Sequence, residues 1–159
     1  MRVEFKRAMA PREIPKLMAL DRRIFPKADL FRAEDWRRYE AYWMKVDGKV
    51  AGCCAFELNV DFQEDLREDG VNPAMEGSLW IATTGILPRL QGRGLGTLMK
   101  SWEIAFARYH GFRRIVTNVR SRNRAMLAVN RRFGFKVLRK TPNYYWGPGD
   151  ATVVMELVL

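Results

Sequence analysis

Residues 91 to 96, Gln91-Gly92-Arg93-Gly94-Leu95-Gly96, constrain the fold of this 159-residue chain more than any other stretch. Before them, Leu79-Trp80-Ile81-Ala82 through Ile86-Leu87 is rich in β-branched and large apolar side chains and reads as a largely buried strand. After them, Leu95, Met99, Trp102, Phe106 and Tyr109 recur at steps of four and three, the spacing of one helical face. The turn therefore links a strand to a helix. Its three glycines lie at alternate positions, where they leave backbone N–H groups uncovered by side chains. The first turn of the helix adds unpaired N–H donors at the positive end of the helix dipole. Together these make an anion cradle whose natural guest is a phosphate or pyrophosphate. Arg93 adds a fixed positive charge. The bland alternative is a glycine-rich connector between two elements.

Two common phosphate loops do not fit. A dinucleotide fingerprint requires a further glycine where Thr97 stands and an acidic residue at ribose-binding distance. A nucleotide-hydrolase loop ends in Gly-Lys-Ser/Thr, which this chain lacks. The net charge of +10 calls for an anionic partner, whether nucleic acid, an anionic cofactor or a membrane surface, although such an excess commonly does no more than solvate a surface. No recognised nucleic-acid module accompanies it. With 48% apolar residues the length supports one domain, residues 1–159. Cys53 and Cys54 are adjacent within an apolar run, where a mutual disulfide is strained, so they read as reduced core residues. The first seven residues lack the apolar segment of a secretion signal, and no run reaches the length of a membrane span. A cytoplasmic protein, monomer or homodimer, with no membrane segment is expected. His110 is the only histidine, which excludes multi-histidine metal sites; it reads as a surface residue at a helix end, and no metal site is expected.

Along the chain, Val3 to Met9 reads as a strand, and Pro11 suits the first turn of a helix whose apolar face carries Ile14, Leu17, Met18, Ile24 and Phe25. Pro26 stops it. A second helix spans Arg32 to Tyr39 with Trp36, and the intervening Phe25–Phe31 loop is either core closure or one wall of a substrate groove. Tyr42 to Val46 and Lys49 to Leu58 form two strands around Asp47-Gly48, a strong hairpin signal. Asp61, Glu64, Asp65, Glu68 and Asp69 reverse the local charge, as a solvated loop or as a field attracting a cationic amine. Arg114 to Val119 is a strand, Asn123 caps a helix with Met126, Val129 and Phe133 on one face, and Gly134 ends it. Phe135 to Thr141 and the alternating Val153, Met155, Leu157 and Leu159 are extended, separated by the Pro142–Asp150 loop. The order β-α-α-β-β-β-α-β-α-β-β is mixed α/β, with an antiparallel half and a parallel central pair.

That order, with Gln91, Gly94 and Gly96 filling the pattern Gln/Arg-x-x-Gly-x-Gly/Ala, resembles the GNAT N-acetyltransferases. A second block, Arg120-Ser121-Arg122-Asn123-Arg124-Ala125-Met126 through Phe133-Gly134-Phe135, is similar to the family's asparagine followed by a helix ending in Gly-Phe. Residues 78 to 136 carry the resemblance best. It implies the GNAT fold with splayed central strands, acetyl-CoA as cofactor and an amine acceptor, a peptide N-terminus or a small amine. It further implies that N–H groups from Gln91, Gly92, Arg93, Gly94, Leu95 and Gly96 hold the pyrophosphate and that Thr97 adds a hydroxyl. Asn123 would bond the pantetheine or its neighbour, the strand around Ile86 would splay from its parallel neighbour near Asn118 and leave room for the pantetheine, with Asn118 and Asn130 among the cofactor-binding residues, and a strand N–H at Ile86 or Leu87 would polarise the thioester carbonyl. The amine would attack directly, so positioning supplies much of the effect.

Two positions depart from the family. Asn130 stands where many members carry a tyrosine acid, and Asn118 stands where N-terminal-peptide acetyltransferases often carry a glutamate base. An amide cannot serve as a general acid. Tyr144 and Tyr145 are the nearest phenols, although an aromatic pair in a loop also serves as a groove wall or hinge. Their surroundings, with Asn143, Asp150 and Met155, resemble the C-terminal end of N-terminal-peptide acetyltransferases. Glu57 and Glu76 are the candidate bases. The two asparagines also motivate an alternative, a CoA-binding regulatory module with little catalysis.

Overall fold

The computed structural model describes residues 1–57, 77–141 and 151–159. The elements follow the expected order: β1 (Val3–Arg7), α1 (Ile14–Ile24), α2 (Ala33–Arg38), β2 (Glu40–Val46), β3 (Lys49–Glu57), β4 (Ser78–Ile86), α3 (Leu95–Tyr109), β5 (Arg114–Arg120), α4 (Arg124–Arg132), β6 (Lys136–Thr141) and β7 (Thr152–Val158). Short 3-10 turns lie at Lys27–Asp29 and Pro88–Leu90. The seven strands form one sheet in the order β1-β2-β3-β4-β5-β7-β6. The chain divides into two compact units, residues 1–57 with 81–99 and residues 58–80 with 100–159. The acidic stretch 61–69, Glu76, and Tyr144 and Tyr145 lie outside the described residues.

In the first unit, β1, β2 and β3 form an antiparallel ladder that sets Val3 opposite Val46 and Glu40 opposite Phe56. Asp47 (φ 49°) and Gly48 (φ 78°) are both left-handed, as a tight two-residue hairpin turn requires. The helix α1 begins at Ile14, later than Pro11 suggests, with Pro15 in its first turn where no hydrogen bond is lost. Extended Phe25 ends it before Pro26. Ile14, Leu17 and Leu20 are buried with Trp36, Ala41, Trp43, Cys53, Ala55 and Leu87. Both cysteines are free thiols in the core.

Two backbones approach closely in this unit. A Cβ placed on Gly52 would lie 2.2 Å from the carbonyl oxygen of Gly85, a backbone atom that cannot swing away. Gly52→Ala should therefore cost about 3 kcal/mol by overpacking, read as a lower urea midpoint at unchanged m-value. Gly85→Ala meets only the Phe25 ring and Ile24 side chain at 3.0–3.1 Å, which can give, and should cost less.

Asp21 lies on the buried face of α1, four residues after Leu17, and is 1% exposed. Burial raises its pKa from 3.8 to about 6, against the pull of the Phe31 N–H, which donates to Oδ2 at 3.0 Å. Asp29 raises it further and Arg22 lowers it. The folded chain thus binds this proton more tightly than the unfolded chain. The resulting stability is fully present below the unfolded pKa and is lost as pH rises through about 6. Relative to Asp21→Asn, which does not titrate, the wild type should lose about 2–3 kcal/mol between pH 4 and 7 in paired denaturation curves.

The second unit is built on antiparallel pairing of β5 with β7 and of β6 with β7, with Asn118 opposite Val154. Arg114, 3% exposed, donates Nε to Ser78 Oγ at 2.7 Å and pairs with Glu156 at 3.0 Å. Asn123 caps α4 by accepting the Met126 N–H at 3.1 Å, and left-handed Gly134 follows the helix. The side chains of α4 that are buried are Leu127 and Asn130, whereas Met126, Val129 and Phe133 are only half-buried. On α3 the expected face also turns: Tyr109 is 87% exposed, while Lys100 and Glu103 are buried. The Lys100 ammonium lies 2.5 Å from the Glu103 carboxylate and 5.5 Å from the centre of the Phe135 ring.

Candidate functional site

The strand-to-helix connection of the first unit is assembled by local hydrogen bonds. After β4 ends at Ile86, Leu90 N–H donates to Leu87 C=O at 2.8 Å and Gln91 N–H donates to Pro88 C=O at 3.2 Å. The Gln91 side chain turns back and donates Nε2–H to Ile86 C=O at 3.0 Å, bracing the loop against the strand end. Its backbone N–H is thus engaged within the turn, and its side chain shapes the loop. Gly92 (φ 75°) and Gly94 (φ 79°) are left-handed, a conformation that disfavours any side chain. Gly94 C=O accepts the Leu98 N–H at 3.0 Å, which opens α3. The N–H groups of Leu95 and Gly96 precede that bond and have no acceptor within the helix.

Gly96 is informative for a different reason. It has no positive φ, and a Cβ placed there meets nothing within 4 Å among the described residues. Glycine at the head of a helix weakens it by about 1 kcal/mol relative to alanine, so neither conformation nor packing within the protein calls for it. Open space above bare amides, beside exposed Arg93, is what a bound diphosphate needs. The residues present fit that group.

The remaining expected site residues separate by unit. Leu87, in the first unit, donates its N–H to Ala51 C=O at 2.9 Å, so that amide is already committed within the protein. Ile86 is buried at the last position of β4. Thr97 sits in the first turn of α3, partly exposed. In the second unit, Asn123 caps its helix as the sequence indicates, its side-chain oxygen accepting the Met126 N–H. Asn118 and Asn130 each bury an amide oxygen with no hydrogen-bond partner among the described residues. Asn130 is fully buried, with Nδ2 3.6 Å from the Met155 sulfur. Glu57, at the end of β3, has its pKa raised by burial and lowered by Arg38, whose guanidinium is 3.9 Å away. Tyr144 and Tyr145 lie outside the described residues.

Sequence reasoning missed the bracing role of Gln91 and the burial of Asp21. A sign of the second was present: Asp21 falls at helical spacing from Leu17 and just before the Phe-Pro stop.

The family model described as Acetyltransferase (GNAT) family matches residues 12–135, and the chain belongs to that family. Its members are acetyl-CoA-dependent acyltransferases. No curated protein sequence matches the chain. Among solved structures, the ribosomal-protein-S18-alanine N-acetyltransferase from Escherichia coli is similar at 17% identity, with a TM-score of 0.78 over 99% of this chain and 94% of that one. Arabidopsis thaliana NAA60, in complex with a bisubstrate analogue, gives 16% identity and a TM-score of 0.78 over 99% and 98%. The IAA acetyltransferase from Bacillus cereus gives 15% and 0.72 over 99% and 100%. At these identities the likeness is one of fold.

Proposed function

We propose that the protein is an N-acetyltransferase that moves an acetyl group from acetyl-CoA to a primary amine, either a peptide N-terminus or a small amine. The observation that carries the reading is Gly96, a helix-head glycine that neither backbone conformation nor packing within the protein calls for, above open space. When bound, acetyl-CoA supplies an acetyl group activated as a thioester. Amides of Gly92, Gly94, Leu95 and Gly96, helped by Arg93 and the Thr97 hydroxyl, hold the diphosphate. The Ile86 N–H is the donor assigned to the acyl oxygen, because the neighbouring Leu87 N–H is already given to Ala51. Tyr144 or Tyr145 is assigned the leaving thiolate's proton, since an asparagine cannot supply one. The proposed location is the cytoplasm, as a monomer or homodimer; no helix among the described residues is long and apolar enough to cross a membrane.

The test is an acetyl-transfer screen that reads CoA release, with amines and short peptides side by side. Release that depends on an acceptor is expected. Absence of both release and any melting shift with millimolar acetyl-CoA would overturn the reading. The second reading, a CoA-binding module with little catalysis, is favoured by the two asparagines; it predicts the melting shift without release for any acceptor.

A further inference from the structure

We propose that Asp21 is a positioning residue for the acceptor: it holds the Phe25–Phe31 segment so that Phe25 lies against Gly85, next to Ile86. This rests on the acetyl-transfer reading above. Asp21 binds both ends of the segment, accepting the Phe25 N–H on its backbone oxygen at 2.9 Å and the Phe31 N–H on Oδ2 at 3.0 Å. Between these points the chain makes one 3-10 turn, Lys27–Asp29. At one end of the segment, a Cβ on Gly85 would lie only 3.0 Å from Cε2 of Phe25. At the other, the Phe31 ring meets Trp36 and Tyr39 edge-on, with centroids 5.7 and 5.2 Å away. The carboxylate thus fixes the Phe31 end of the segment, while the backbone carbonyl of the same residue holds the Phe25 end beside the last residues of β4.

The choice of aspartate is itself informative. Its Oδ1 has no hydrogen-bond partner among the described residues, and neither has the buried Nε1 of Trp36. A charge buried with half of its acceptors unmet weakens a fold, and asparagine could make the same bond to Phe31 without it. What asparagine cannot give is an ionised acceptor, which grips an N–H more strongly than a neutral one. The groups that act on this charge are Asp29 in the 3-10 turn, Arg22 on the same helix and the Cys53 thiol on β3, itself pushed up to about 12 by burial and by Asp21. Ionisation tightens the clamp, so the acceptor KM should fall as pH rises through about 6.

Steady-state kinetics on an acceptor found by the CoA-release screen test this. Asp21→Ala should raise the acceptor KM about tenfold and leave the acetyl-CoA KM within about twofold. Asp21→Asn should raise the acceptor KM less and abolish its dependence on pH near 6. Hydrogen exchange at the Phe31 amide gives a readout free of catalysis: it should speed up at least about tenfold in Asp21→Ala, with the CoA-induced melting shift kept. If Asp21→Ala does not fold, the Asn variant carries the comparison. Equal changes in both KM values, an unchanged acceptor KM in either variant, or unaltered exchange at Phe31 would overturn the proposal. A wild type that transfers acetyl to nothing would refute the reading under Proposed function instead, and the Phe31 exchange would still decide whether Asp21 holds the segment.

Discussion

Gly94→Glu is expected to abolish the melting shift that CoA or acetyl-CoA gives the wild type. At a ligand concentration of 100 Kd that shift corresponds to about 2.7 kcal/mol, or roughly 5–10 °C for a chain of this length. Among the described residues nothing lies within 4 Å of a Cβ at Gly94, so the new side chain would not break the core; it would enter the cradle and set a carboxylate against the diphosphate. The left-handed backbone at φ 79° adds a penalty of about 1–2 kcal/mol to the free protein, which the melting temperature without ligand isolates. Gly96→Ala provides a control of opposite sign. It should stabilise the free protein by about 0.5–1 kcal/mol, because alanine suits a helix better than glycine, while weakening CoA binding at least about tenfold. A Gly96→Ala variant that melts higher and still binds CoA as the wild type does would remove the main support for the cradle.

Lys100→Met should be among the most destabilising single substitutions in the chain, at about 3–5 kcal/mol. It would leave the Glu103 carboxylate, 0% exposed, without its ammonium partner. The Lys100 charge also faces the Phe135 ring, a contact that methionine retains as a sulfur-aromatic one, so the loss reports chiefly on the broken ion pair. Replacing both residues, Lys100→Met with Glu103→Leu, should recover most of the stability, since a buried ion pair is worth little against apolar residues of similar volume. Urea denaturation of the two single variants and the double variant measures the coupling. Near-additive losses would show that the pair is not coupled.

The hydrophobic period and the turn residues were enough to recover the element order, because they act locally. Asp47-Gly48 can close a hairpin wherever it falls between extended segments, and Pro26 stops a helix in any context. The cradle was equally legible: glycine at 92 and 94 answers a demand of the backbone alone. Side-chain roles were legible in part: Asn123 reads as a helix cap and is one, whereas the Gln91 amide fits a phosphate motif yet braces the Ile86 carbonyl five residues before it.

The amino-acid order by itself determined the mixed α/β succession, the glycine-rich turn between strand and helix and the acetyltransferase resemblance, since propensity, periodicity and glycine placement are written residue by residue. Tertiary structure alone decided which charges go inside. Nothing in the local pattern announces that the Lys100–Glu103 pair is buried, because burial depends on what packs over a helix face. The same packing set Phe25 over Gly85 and left Tyr109 in solvent, outcomes that depend on neighbours far along the chain.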